Sequence, residues 1–311
     1  MTKSLKYVLN ETVSTISNNI FNHCSTVASC GKDLLCAWYS GSHECSKDQR
    51  VNIVNLHNPH GTVILEEQTG NPVLFNDSSN KTFILYSQFV HHPNISRIDK
   101  WKYCHLFLRE VFHDHVSDRI KLSDESEHLL GRCSPIVKDG TTYLPLYNEL
   151  DGYSVIYEGN GYVYEPTFCF GDLEIQPAIY HDGYNLKAFT RNFLSTRKFS
   201  RLHVVANNES KDTAIPNNNS SIAALRINDI TFVVYNDSNT KLRKSLTIGY
   251  YSEKEGIVPI RLIDEYGSYP SVILHEGKLV ISYTDYFHSI KVHEIDIHRF
   301  LNECGYRRLL R

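Results

Sequence analysis

The sequence predicts an all-β protein folded as a six-bladed β-propeller. Three observations carry that expectation. First, the stretch "GSYPSVILHEGKLVISYTD" from Gly267 places alternating apolar residues on both sides of a Gly turn, which is the pattern of a β-hairpin. Second, related hairpins occur five more times along the chain. Their matching apolar positions Val27, Val73, Ile136, Ile179, Ala224 and Val272 are 46, 63, 43, 45 and 48 residues apart. A period of roughly 40–50 residues with several short strands per unit is that of a propeller. Third, helical periodicity is weak everywhere except in the closing "IHRFLNECGYRRLLR".

The hairpins run in order as "HCSTVASCGKDLLCAWYSGS" from 23, "GNPVLFNDSSNKTFILYSQF" from 70 and "GRCSPIVKDGTTYLPLYNEL" from 131. They continue as "EIQPAIYHDGYNLKAFTRN" from 174, "NSSIAALRINDITFVVYNDS" from 219 and the stretch from Gly267. Each is followed by a further strand candidate: "RVNIVNL", "KYCHLFLREVF", "YSVIYEG", "RLHVVAN", "SLTIGYYS" and "IKVHEIDI". The long interval between the second and third copies leaves room for loops around 91–101 and 114–130. The last copy lacks an outermost strand, and the N-terminal "SLKYVLNETVSTI" is expected to fill that place. One propeller domain over 1–311, with its ring closed by the N-terminal strand, is the organisation this implies.

Composition excludes several classes. The 311 residues are 41% apolar, enough for a sizeable core. Net charge is -3 with both signs interspersed, so no basic footprint for nucleic acid is expected. No apolar run approaches the ~20 residues of a membrane-spanning helix. The N-terminus shows no continuous apolar segment of the signal-peptide kind, which predicts a cytoplasmic or particle-associated protein rather than a secreted one. Eight cysteines are scattered without a CxxC pair and read as buried free thiols. The His pairs at 91–92 and in "HDH" at 113–115 lack the spaced partners of a zinc site. Asn-x-Ser/Thr matches such as "NET" at 10–12 read as chance in an Asn-rich chain.

The segments "LLCAWYSGSHECSKD", "GNPVLFND", "PLYNE", "IQPA…TRN", "VVYNDSNTKLRKSLTIGYYS" and "YPSVILHEGKLVISYTD" resemble the sialidase (neuraminidase) superfamily. The likeness is nearest to the bacterial "predicted neuraminidase" group with sialidase-type repeats, over roughly residues 20–295. It implies a sialidase-like six-bladed propeller, in agreement with the count of hairpins. The structural Asp-box turn of that family is absent, and "YYSEKEG" at 250–256 looks like its remnant.

A propeller brings the hairpin heads to one central mouth, so residues far apart in sequence converge there. The resemblance implies that Tyr269, just before Pro270, is the nucleophile, a use of Tyr that departs from the two-carboxylate rule of other glycosidases. It implies Arg191 and Arg243 as a clamp for a carboxylate, which guanidinium forks bind with parallel hydrogen bonds. It implies Asp48 as the acid/base, with Glu44, four residues earlier, as the competitor. Two positions depart from the family pattern. His23 stands where a clamp Arg is expected, and Gln176 stands where the Glu that assists the Tyr is expected. Glu174 shares a strand face with Gln176 by alternation and is the expected substitute, with Glu149 as another carboxylate within reach. Arg132 and Asn219 open the third and fifth copies and suit a sugar site rich in hydroxyl partners.

Three functions follow. The leading one is a retaining glycoside hydrolase on an acidic, sialic-acid-like sugar of a glycan, with no cofactor. The second is a polysaccharide lyase on uronate chains, with Tyr269 or His23 as the base. The third is a catalytically silent propeller that binds glycans, for instance on a viral or phage particle. A neutral phenol needs a nearby base to attack, so the first predicts the Tyr269 hydroxyl beside Glu174 or Glu149.

Overall fold

The computed structural model describes residues 12–16, 20–58, 61–90, 101–193, 197–240, 242–303 and 305–306. His91, His92 and Cys304 lie outside these residues. The described chain forms six antiparallel sheets arranged as a six-bladed β-propeller. Blade 1 contains Phe21–Cys30, Asp33–Gly41, Arg50–Asn55 and Thr62–Glu67. Blade 2 contains Thr69–Asn76, Thr82–Phe89, Cys104–Glu110 and Ile120–Lys121. The inner strand of blade 3 is split into Leu129–Gly131 and Ile136–Lys138, both paired with Thr141–Asn148, and is followed by Tyr153–Asn160 and Val163–Phe170. Blade 4 contains Glu174–His181, Leu186–Asn192, Phe199–Val204 and Glu209–Pro216. Blade 5 contains Ala223–Ile227, Ile230–Asn236, Leu246–Ser252 and Gly256–Asp264. Blade 6 contains Gly267–His275, Lys278–Asp285 and Ser289–Asp296. Thr12–Ile16 pairs antiparallel with Ser289–Asp296, from Thr12 opposite Glu294 to Ile16 opposite Ile290, and is the outermost strand of that sheet.

The strands read as near-continuous apolar runs because each blade is covered on both faces. In "LLCAWY", Leu34, Cys36 and Trp38 pack toward blade 6, while Leu35, Ala37 and Tyr39 pack toward blade 2. The same alternation builds one apolar cluster between every pair of neighbouring blades around the ring. The second and third strands of each blade coincide with the sequence-based candidates. The N-terminal strand expected on the last blade is also there, in Thr12–Ile16, but the outermost strands of blades 1 to 5 are not legible in the sequence. Val163–Phe170, for example, leaves most of its residues exposed or half-exposed, so its pattern carries little apolar signal. The one α-helix among the described residues, Ile297–Glu303, buries Ile297, Phe300 and Leu301 against blades 5 and 6.

The hairpin turns follow from their residues. Glu276 and Gly277 both have positive φ, 47° and 75°, as do Asp139 and Gly140, at 51° and 80°. Two successive left-handed residues suit the right-handed twist of the flanking strands.

Candidate active site

The site is built by a repeated defect at the heads of the inner strands. The ladder slips between His23 and Thr26, Gly70 and Val73, Ile175 and Ala178, and Ser268 and Ser271. Within each bulge a non-glycine residue is left-handed: Cys24 at φ 53°, Asn71 at 46°, Gln176 at 56° and Tyr269 at 54°. Asn219 at the head of blade 5 has φ 61°. Such a conformation costs about 1–3 kcal/mol and persists only where its surroundings enforce it. A bulge takes residues out of the ladder, which is why Pro72, Pro177 and Pro270 are tolerated directly after three of them. All five left-handed residues line one cavity of about 170 Å³ at the axial mouth.

Two guanidinium groups stand in that cavity. Arg191 is buried. Its Nε donates to Gln176 Oε1 at 2.7 Å, its Nη1 donates to Asn219 Oδ1 at 2.7 Å, and its Nη2 lies 3.7 Å from Glu149 Oε1. Arg243 donates from Nε to the Asn219 carbonyl at 3.1 Å and from Nη2 to the Tyr269 hydroxyl at 3.3 Å. Its Nη1 is buried and has no hydrogen-bond partner among the described residues. Asn219 thus holds both arginines, and one charged donor is left for a ligand.

Tyr269 is buried, and the Arg243 guanidinium lies 4.5 Å from its ring centroid. The His23 ring packs edge-on against it at 4.5 Å. Burial, then the charges of Arg243 and Arg132, hold the pKa of His23 well below the usual histidine range, so it is neutral near pH 7. His23 Nδ1 is 3.0 Å from Thr284 Oγ1, which also accepts from the Cys24 N–H. If the Thr284 hydroxyl donates to Nδ1, the imidazole proton sits on Nε2; in the other tautomer Nε2 is free to accept one.

Two carboxylates line the cavity. Glu149 accepts from Trp101 Nε1 at 2.8 Å, and Glu44 accepts from the Tyr39 hydroxyl at 3.1 Å. Glu44 stands at the rim: more than a third of the residue is exposed, while its carboxyl group is hemmed in by the wall. That crowding raises its pKa, against the opposing pull of the Tyr39 hydrogen bond and Arg243.

Three sequence-predicted residues fall outside the cavity. Asp48 is exposed and accepts from Ser42 N–H at 3.0 Å and Ser42 Oγ at 2.9 Å, so it closes a surface turn and leaves Glu44 to face inward. Glu174 does not share a face with Gln176, because Gln176 sits in the bulge between Ile175 and Ala178, which breaks the alternation on which that expectation rests. Its carboxylate is buried beside Arg197 at 3.5 Å, Arg201 at 3.7 Å and His203 at 3.8 Å. Arg132 is buried on the axis, where it binds backbone carbonyls of other blades. The Tyr269 hydroxyl also departs from expectation. Among the described residues its hydrogen-bond partner is Arg243, and neither Glu174 nor Glu149 bonds to it.

The family model of the BNR repeat-like domain matches residues 32–281. The chain belongs to that family. Solved structures that resemble this BNR-family propeller include Trypanosoma rangeli sialidase, with 12% identity and a TM-score of 0.70 over 97% of this chain and 62% of that one. The chain therefore spans about 62% of the length of that sialidase. Penicillium chrysogenum alpha-L-arabinanase complexed with arabinobiose gives 12% identity and a TM-score of 0.60, over 91% of this chain and 98% of that one. A subtype N10 neuraminidase-like protein from A/little yellow-shouldered bat/Guatemala gives 8% identity and a TM-score of 0.56, over 92% and 97%. None of the curated proteins matches the sequence. These likenesses establish the six-bladed, sialidase-like propeller fold.

Within this BNR-family mouth, sequence reasoning missed Asn71, Cys24, Tyr39, Trp101 and Tyr147. One signal could have found Asn71. A residue followed by Pro recurs at the same place in three hairpins, as Asn71-Pro72, Gln176-Pro177 and Tyr269-Pro270, and all three first members line the cavity. Tyr39 and Tyr147 carry no such mark, since a buried aromatic near a strand end reads as core, and Trp101 is half-buried in a turn ahead of the Cys104–Glu110 strand.

Proposed function

We propose that this protein is a sialidase-like glycoside hydrolase acting on an acidic sugar at the end of a glycan. The observation that carries the reading is the meeting of Arg191, Arg243, Tyr269 and Glu44 in one cavity, with Arg243 Nη1 unpartnered. The sugar carboxylate accepts from the two guanidinium groups, which fixes the ring over Tyr269. Tyr269 Oη attacks the anomeric carbon, and its proton leaves to a cavity base. Glu44, kept protonated to higher pH than an ordinary carboxyl group, donates to the departing glycosidic oxygen. In the second half Glu44 takes a proton from water, the water oxygen bonds to the anomeric carbon as its bond to Tyr269 Oη breaks, and the phenolate recovers its proton from the same cavity base.

A second reading is favoured by one observation: the Tyr269 hydroxyl is partnered by Arg243 rather than a carboxylate, next to a neutral His23. That arrangement suits β-elimination on a uronate. Tyr269 or His23 would remove the proton beside the carboxylate, the arginines would hold the resulting negative charge, and Glu44 would protonate the leaving oxygen.

Incubation with a panel of sialylated and uronate-containing oligosaccharides, with products separated and identified by mass, tests both. Release of a saturated acidic monosaccharide supports the hydrolase. An unsaturated product absorbing in the ultraviolet supports elimination. Binding without turnover on every glycan overturns both.

A further inference from the structure

The guanidinium of Arg132 occupies an unusual place for a buried cation. Among the described residues it has no carboxylate partner. Its Nε donates to Ser221 Oγ at 3.2 Å in blade 5, and its Nη1 donates to the Ser25 carbonyl at 3.0 Å in blade 1. Its Nη2 donates to the carbonyls of Tyr269 and of Pro270 in blade 6, the latter at 3.1 Å. The side chain comes from blade 3, so one group spans the axis to three other blades. A buried charge without a counter-ion is expensive, and neutral apolar packing would join blades at lower cost. What an Arg adds is a rigid planar fork that can hold several carbonyl oxygens in fixed directions.

The carbonyls it holds are those of the Tyr269 bulge. Of the five left-handed residues at the mouth, Tyr269 alone among the described residues has both of its peptide groups captured by side chains. Its N–H donates to Ser220 Oγ at 3.1 Å, and its C=O accepts from Arg132 Nη2. With both flanking peptide planes pinned, the φ of 54° is held, and so is the direction in which the phenol leaves the backbone. The Arg132 guanidinium also lies 5.4 Å from the Tyr269 ring centroid, so it supports the ring directly.

We propose that Arg132 is a positioning residue that sets the backbone and ring of Tyr269 for chemistry without touching the substrate. The inference rests on the reading of Tyr269 as the reacting group. Its structural half, that Arg132 holds the left-handed bulge, stands apart from that reading and is tested separately.

Arg132→Lys keeps the charge and removes the fork. In the full chain it is expected to lower kcat by about a hundredfold, the usual effect of misplacing a reacting group by about an ångström, while KM and the calorimetric affinity for free sialic acid stay within about threefold. A merely structural role would lower melting temperature and scatter both parameters, or leave kcat intact. A kcat within threefold of wild type overturns the proposal. A crystal structure of the variant supplies the activity-independent arm: Tyr269 is expected to leave the left-handed region, and an unchanged Tyr269 backbone overturns the proposal even if the wild-type protein turns over no glycan. Should Arg132→Lys fail to fold, Ser221→Ala removes the acceptor that anchors Arg132 Nε and frees the fork to turn, while the Tyr269 N–H bond to Ser220 stays in place. It is expected to give the same kcat-selective loss, and an unchanged kcat there overturns the proposal.

Discussion

The guanidinium of Arg243 lies over the ring of Tyr269, 4.5 Å from its centroid, and donates from Nη2 to the phenolic oxygen at 3.3 Å. The pair joins blades 5 and 6 at the mouth and puts the group that would bind the sugar's carboxylate against the group that would react. If the site works as proposed, Tyr269→Phe removes the reacting oxygen and keeps the ring packing. Turnover is expected to fall a hundredfold or more, while the melting temperature moves little, because one hydrogen bond to a partly exposed Arg is lost. Steady-state kinetics beside calorimetry check both halves, and retained activity on the true substrate sinks the nucleophile role.

Arg243→Ala should act on binding first. Its unpartnered Nη1 and its Nη2 are the donors available to a carboxylate, and a hydrogen bond to a charged group contributes about 1.5–3 kcal/mol. Affinity for an acidic monosaccharide, read by titration calorimetry, should drop ten- to about a hundredfold, with affinity for the matching neutral sugar little changed. An equal loss for both sugars would remove the clamp from the mechanism.

The two carboxylates of the 42–49 loop should separate cleanly. Glu44→Gln is expected to lower turnover at least a hundredfold, while Asp48→Asn, outside the cavity, should leave it within about twofold. The pH profile carries the same information. Glu44 must be protonated to act as acid, and its pKa is raised in the folded state. The activity it supports is therefore full at low pH and falls as pH rises through that raised value, above the ordinary carboxylate range. The stability it contributes has the same sign, present below the unfolded pKa and lost as pH rises through the folded one. An alkaline limb that persists unchanged in Glu44→Gln would assign the acid elsewhere.

Acid should destabilise the fold through its buried imidazoles. Burial, with Arg201 and Arg197 nearby, lowers the pKa of His203 to about 4, and His23 is lowered too. A depressed pKa contributes stability that is present above the unfolded value of ~6.5 and is lost as pH falls through the folded one. Urea unfolding at several pH values should show a loss of up to ~3 kcal/mol from His203 between pH 6.5 and 4. His203→Gln should flatten that slope, and an identical slope in the variant would rule the group out.

Removal of residues 1–19 deletes the Thr12–Ile16 strand and leaves the Ser289–Asp296 edge unpaired. Lower solubility and a lower melting temperature are expected. A truncated chain that melts like the full one would show that the last blade does not depend on this strand.

The sequence by itself determined the architecture. Hairpins such as Gly267–Asp285 carry their own turn chemistry, and runs such as "LLCAWY" announce strands covered on both faces, because these are local properties of alternation and propensity. The resemblance to the sialidase superfamily, together with the convergence of hairpin heads in a propeller, also singled out Tyr269, Arg191, Arg243, Gln176, Asn219, His23, Glu44 and Glu149, which line the cavity. Tertiary structure alone decided between Glu44 and Asp48, since which of two carboxylates on a short loop faces inward depends on the turn that Ser42 closes. It also decided the fate of Glu174. The two-residue period that would put it beside Gln176 fails at the bulge, and a bulge is set by the neighbouring strands and by the contacts that hold its left-handed residue, which lie far away in sequence. Arg132 belongs to the same class: no local pattern marks an arginine that crosses the axis to bind the carbonyls of blades 1 and 6, because only closure of the ring brings those carbonyls to it.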